Sequence, residues 1–198
     1  NVYLFKDYFQ STAALSIFAI VQTGACFVAM PLVKPLVAKF GKKELASAGL
    51  VLSAIMYFVL FFMKDLTGMQ FVAVASIGMF GYAFFNIVVW AFVTDVIDYH
   101  ELLTGLREDG TVYSIYSFAR KIGQAIAGGI GGFAIGAVGY NAVSGVQSQS
   151  TLDGIHMLGT LVPAICFVIV LLVLVFLYPL NKKRTDEMVA ELTARRNK

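Results

Sequence analysis

The sequence predicts an all-α integral membrane protein, on three observations: an apolar composition, long intervals without charge, and basic residues that alternate between loops. Hydrophobic residues make up 59% of the 198 and charged residues 14%. The mean hydropathy is +0.78, more apolar than a soluble domain usually is. Five intervals hold no Asp, Glu, Lys or Arg: 26 residues between Asp7 and Lys34, 19 between Glu44 and Lys64, 29 between Asp65 and Asp95, 31 between Lys121 and Asp153, and 28 between Asp153 and Lys182. A helix crosses the hydrocarbon core with roughly 20 apolar residues, so each interval accommodates one span. Backbone groups in lipid are satisfied only in helices or closed barrels, and the ten-residue alternation of a barrel is missing from these runs.

The elements follow in order. Residues 1–10 read as the outer end of an earlier helix. The chain starts at Asn1 without an initiator Met, a basic leader or a small-residue cleavage site, so no signal peptide and a longer parent chain are expected. The first span covers 12–33 and ends at Pro31 to Pro35, before a basic turn around Lys39, Lys42 and Lys43. The second covers 46–63. The third covers 68–95 and continues as helix beyond the membrane through Glu101, stopping at Thr104 and Gly105. A fourth helix covers 111–139, and a fifth covers 155–178 with Pro163 inside it. From 185 onward, Asp186 and Glu187 in a first turn and Arg195 and Arg196 in a last one fit the polarity of a short helix. The organisation is therefore 1–10 as an external helix end, 11–180 as five complete transmembrane helices, and 181–198 as a cytoplasmic tail.

Orientation comes from Lys and Arg in short loops. Lys34, Lys39, Lys42 and Lys43 share one loop, Arg107 lies in another, and Lys182, Lys183 and Arg184 follow the last span, whereas the opposite side carries only Lys6 and Lys64. The C-terminus is expected in the cytoplasm and residues 1–10 outside. The net charge of +3 then reflects topology rather than a nucleic-acid surface. Cys26 and Cys166 both fall in apolar spans without CxxC spacing, so neither a disulfide nor a metal framework is expected.

Lys121 is the most informative position. It lies ten residues into the fourth helix, about 15 Å along it and near mid-membrane, where ionisable residues face a bundle interior or aqueous path. Ser114, Ser117, Lys121 and Gln124 are spaced three, four and three apart, which puts them on one polar stripe. Arg120 points some 100° away, toward the acids at the cytoplasmic side. Gly128, Gly132 and Gly136 at four-residue spacing predict close helix packing. On the third helix Tyr82, Asn86 and Trp90 form an aromatic and amide face suited to a sugar ring. Asp95 and Asp98, with Arg107 and Arg120, are expected to form gate-side ion pairs. His100 and His156 have no ligand spacing, no metal site is expected, and no nucleophile and base pair points to an enzyme.

The run DVIDYHELLTGLREDGTVYSIYSFARKIGQA, residues 95–125, resembles the loop between helices ten and eleven of the glycoside-pentoside-hexuronide:cation symporters. These form the melibiose-permease-like branch of the major facilitator superfamily. The likeness extends from Tyr3-Leu4-Phe5-Lys6-Asp7-Tyr8 to Tyr178-Pro179-Leu180. It implies the C-terminal six-helix half of a major facilitator fold, with five complete transmembrane helices and a remnant of a sixth. It also implies a multi-pass protein of a bacterial plasma membrane that takes up a sugar by alternating access with Na⁺ or H⁺, the cation held mainly by the N-terminal half, a partner along with the sugar and the bilayer. No other cofactor is expected. In this family Lys121 corresponds to a lysine near the sugar and cation sites, and Asp95 and Asp98 to a cytoplasmic gate network. Asn86 stands where the melibiose permease has a tryptophan facing the sugar, with Trp90 one turn on, which sets galactoside specificity aside. An exporter of drugs or lipids, or a non-transporting sensor of the same fold, are the competing readings.

Overall fold

The computed structural model describes residues 1–143 and 146–196. A π-helical turn, Leu4–Tyr8, leads into α1 (Thr12–Phe40), α2 (Lys42–Phe62), α3 (Gly68–Thr104), α4 (Asp109–Ala137), α5 (Gln149–Leu177) and α6 (Lys182–Arg196). Helix α3 has 37 residues, about 55 Å at 1.5 Å per residue, so it outruns a ~30 Å hydrocarbon core. Its start is fixed by a capping box between Thr67 and Gln70, and its end by Gly105, whose φ of 75° is left-handed.

Two boundaries differ from expectation. Helix α1 continues past Pro31 and Pro35 to Phe40, because a long helix in lipid tolerates proline where neighbours and local adjustments compensate. The expected basic turn then shrinks to Gly41, with φ 105°, a conformation that favours glycine. Helices α1, α2, α3 and α5 are long and apolar enough to cross a membrane. The other expected span, α4, matches them in length at 29 residues but is diluted by glycines and by Arg120 and Lys121.

Helix α2 packs along both α3 and α5, α1 packs along α3, and α4 has α3 as its main neighbour. Apolar burial gives little drive between helices in lipid, so close packing and buried hydrogen bonds carry the association. The α2/α3 contact shows both. Gly49 and Gly81 bring the two backbones together: a Cβ on Gly81 would stand 2.5 Å from the Gly49 carbonyl oxygen. Beside them the buried Ser53 hydroxyl lies 2.8 Å from the carbonyls of both Gly49 and Gly78. Two apolar layers flank this crossing. One collects Leu4, Phe5, Phe18, Leu60, Phe71 and Ile155; the other collects Ala29, Leu50, Phe84, Val88, Phe92 and Leu174.

The end of the bundle that holds the basic loops is tied by cations. Lys43 Nζ donates to the carbonyls of Val175 (2.9 Å) and Tyr178 (2.6 Å), at the end of α5. Lys182 Nζ donates to Ala38 (2.6 Å) and Lys39 (2.9 Å), at the end of α1. Arg195 donates to Leu102 (3.0 Å) near the end of α3. Each cation satisfies carbonyls that have no intrahelical partner and sits at the negative end of a helix dipole. Leu180, Met188 and Leu192 seat α6 against Tyr99, Leu102 and Tyr178. Asp95, only 3% exposed, accepts from Lys42 Nζ at 2.5 Å and from the Tyr178 hydroxyl at 3.2 Å, so its charge is compensated from α2 and from the exit of α5.

Two outcomes follow from this packing. Gly81→Leu forces α2 and α3 apart and is expected to destabilise the protein by about 1–3 kcal/mol, read as a lower thermal midpoint in detergent, while Phe27→Leu at an exposed site on α1 leaves the midpoint unchanged. Asp95→Asn leaves the half-buried Lys42 ammonium uncompensated and is expected to cost about 2 kcal/mol. Adding Lys42→Met should recover most of that loss in the same melting experiment, and an unaltered midpoint in the single variant would refute the pairing.

Candidate functional site

The helix α3 face read from the sequence is present. Tyr82 is half-buried and Asn86 and Trp90 are exposed, one above the other as a four-residue spacing requires. Tyr82 and Asn86 join Gln22, Thr23, Cys26 and Met30 of α1 around a cavity of about 340 Å³, within the range of small-molecule sites. Neither the Gln22 nor the Asn86 amide has a hydrogen-bond partner among the described residues. Amide groups left open in an otherwise apolar span suit a wetted cavity that presents donors and acceptors to a polyhydroxylated ligand. The α1 residues of this cavity were not foreseen. Their signal was the adjacent Gln22 and Thr23 in the middle of an uncharged span. Cys26, expected to serve packing alone, also lines the cavity, and both cysteines are free thiols.

Trp90 lies lower on α3 and marks its junction with α4. Its ring centroid is 6.2 Å from that of Tyr113, nearly parallel, and 5.3 Å from that of Tyr116 at 66°. The Arg120 guanidinium sits over Trp90 at 5.5 Å from the centroid, a cation–π contact. This corrects the expectation that Arg120 joins the acidic cluster. Tyr113, Tyr116 and Arg120 recur at three and four residues, so they share the α4 face turned toward α3, and Trp90 intercepts the guanidinium before it reaches any carboxylate.

Lys121 and Gln124 pair along the polar stripe at 3.3 Å, both exposed, and Ser117 lies one turn before them, partly exposed. The Ser114 hydroxyl bonds back to the Gly110 carbonyl at 2.7 Å. Among the described residues, neither Arg120 nor Lys121 forms an ion pair with an acid. Beyond them, Gly128, Gly132 and Gly136 have open space where a Cβ would be, so the close packing expected of that stripe is not made within the described chain.

The acidic cluster is organised around Arg107. Its guanidinium donates to Asp98 at 2.8 Å, to Glu101 at 2.9 Å and to both Asp109 oxygens at 2.9 and 3.0 Å. The hydrogen bonds it donates to Asp98, Glu101 and Asp109 raise the Arg107 pKa further above its already high value. Arg196 of α6 reaches the same Glu101 at 2.5 Å, so the tail helix belongs to the cluster. Asp95 is not part of it, since Lys42 and Tyr178 occupy its two oxygens. His100 pairs with Glu108 at 3.3 Å. His156 is buried between the rings of Tyr8 and Phe61. No group of His, Cys, Asp and Glu able to hold a metal is found among the described residues.

The arrangement is thus a cavity of about 340 Å³ between α1 and α3, two α4 cations without an acidic partner among the described residues, and an ionic cluster around Arg107. Comparison with known proteins bears on the family of the chain. Residues 1–182 match the family model described as MFS/sugar transport protein. A protein named for sulfoquinovose import in Escherichia coli (strain K12) is 37% identical over 174 residues, 87% of this chain and 37% of the relative. The glucuronide carrier protein homolog of the same organism is 36% identical over 187 residues, 93% of this chain and 40% of the relative. A protein named for 2,3-dihydroxypropane-1-sulfonate export in Salmonella typhimurium (strain LT2) is 32% identical over 197 residues, 100% of this chain and 42% of the relative. The chain spans about two fifths of the length of these relatives. Four apolar helices of spanning length and the family match over nearly the whole chain make this a multi-pass membrane protein that belongs to the MFS/sugar transport protein family.

Proposed function

We propose that this chain forms the C-terminal part of a secondary active transporter that carries a glycoside, pentoside or hexuronide together with Na⁺ or H⁺ by alternating access. The observation that carries the reading is the uncompensated Lys121 on its polar stripe. An ammonium at that depth is expensive unless it faces water, a substrate or a counter-charge, and no acid of the described chain supplies the last. Within this reading Tyr82, Asn86, Gln22 and Thr23 bind sugar hydroxyls, while Trp90 offers an apolar face to the ring. Lys121, with Gln124 and Ser117, links the sugar to the coupling ion, whose acidic ligands come from a preceding N-terminal half. Asp98, Glu101 and Arg107, braced by Arg196, close the cytoplasmic side when the cavity opens outward. The C-terminus then lies in the cytoplasm, as the basic loops favour.

The relatives named for sulfoquinovose and glucuronide favour an acidic sugar over a neutral one. A second reading, efflux, has one observation in its favour, the relative named for sulfonate export. The two differ only in the direction of the driving gradient.

Uptake of labelled glycosides, pentosides and glucuronides by vesicles holding the full-length protein, with imposed Na⁺ or proton gradients, tests the proposal. Gradient-driven accumulation is expected, and Lys121→Ala should reduce it by about tenfold or more, the scale of a lost charged hydrogen bond. No accumulation under either gradient would sink the symport reading, and gradient-driven loss of preloaded sugar would replace it with efflux.

A further inference from the structure

Arg120 is a costly residue with no evident structural return. A guanidinium in a membrane span is stabilised by a carboxylate, by carbonyls or by water, and among the described residues it has neither of the first two. What it has is a platform. Trp90 lies under it at 5.5 Å, and Tyr113 and Tyr116 bracket the indole. This contact restrains the guanidinium without neutralising its charge, so its five N–H donors stay available. Upward on α3 the same face continues to Asn86 and Tyr82, which line the cavity. Lys121 cannot do the same work, because its ammonium is turned to Gln124 on the neighbouring stripe.

We propose that Arg120, held on the face of Trp90, is a specificity-determining residue that binds a carboxylate or sulfonate substituent of the transported sugar and makes the site prefer acidic over neutral glycosides. The proposal rests on the sugar-transport reading and adds to it the group that reads the charge. A planar fork of N–H donors meets two oxygens of a carboxylate or sulfonate at once. A neutral hydroxymethyl group in the same place leaves the cation desolvated and unpaired, so discrimination arises from the penalty as well as from the contact.

The test is calorimetric binding of phenyl β-D-glucuronide and phenyl β-D-glucoside to the purified full-length protein. These ligands differ only in a carboxylate against a hydroxymethyl group. The wild type is expected to bind the glucuronide about tenfold more tightly or better. Arg120→Gln should bring the two ligands to within about threefold of each other, by weaker glucuronide binding and unchanged or tighter glucoside binding. Arg120→Lys, which keeps the charge and the fold but not the planar fork, should lose part of the preference, and decides the matter should the glutamine variant fail to fold. A full preference in Arg120→Lys or Arg120→Gln, or an equal loss of both ligands, overturns the proposal. Equal wild-type affinities overturn it while leaving sugar transport standing, whereas a wild type that binds neither glycoside counts against both.

Discussion

An ionised group moved from water into hydrocarbon loses several kcal/mol unless its charge is compensated nearby, and this cost arranges the rest of the molecule. It keeps the charged residues to the loops and helix ends, which is why five uncharged intervals are visible at all. It also dictates what happens where a charge enters the bundle. Asp95 is buried, and α2 delivers Lys42 to it while the exit of α5 delivers the Tyr178 hydroxyl. Because one carboxylate on α3 draws on α2 and on the exit of α5, the three are tied electrostatically at one end, while Gly49, Gly81 and Ser53 fix α2 against α3 sterically at mid-height.

The same accounting separates a rigid part from an adaptable one. Helices α1, α2, α3 and α5 share two apolar layers, and their C-terminal carbonyls are closed by Lys43, Lys182 and Arg195. Helix α4 has no fully buried residue and reaches α3 chiefly through the aromatic group at Trp90. Its register against α3 therefore depends on a few ring contacts, each worth about 1 kcal/mol. A helix joined in that way can change its tilt at low cost, whereas α2 cannot leave α3 without uncovering two glycine backbones.

Much of this was legible in the sequence, and the misses have physical causes. The start and stop of α3 were readable because Thr67, Gln70 and Gly105 are local signals. The end of α1 was misplaced because Pro31 and Pro35 break helices in water far more strictly than in a bundle within lipid. The Tyr82 and Asn86 face follows from helical periodicity, whereas the adjacent Gln22 and Thr23 form no repeating polar face in their apolar span. Lys42 was counted as a loop charge for orientation. Its partner Asp95 is 53 residues away, a distance that no local pattern bridges. For Arg120 the helical wheel gave the right direction, away from Lys121, and the wrong partner, since opposite charge was weighed and the π-face of Trp90 was not.

That last miss bears on how a transporter should hold a charged ligand. A site that must release its cargo every cycle gains nothing from an ion pair that is already complete, nor from a bare cation that binds too tightly. A guanidinium lying on an indole is intermediate. The cation–π contact contributes about 0.5–2 kcal/mol, enough to restrain the side chain and to lower the entropy lost on binding, but it leaves the net charge intact. An ammonium has no plane to stack and no fork to present, so its strength is mobility: it can exchange one partner for another as the cavity changes shape. Arg120 and Lys121, adjacent in sequence and some 100° apart around α4, thus differ in the property that matters at each position, fixed geometry in one and a transferable charge in the other. If the two did the same job, exchanging them would be silent. On this argument the Arg120→Lys, Lys121→Arg double exchange preserves net charge and helix yet impairs both ligand discrimination and coupling, and wild-type behaviour in binding and uptake would show that only the total charge counts.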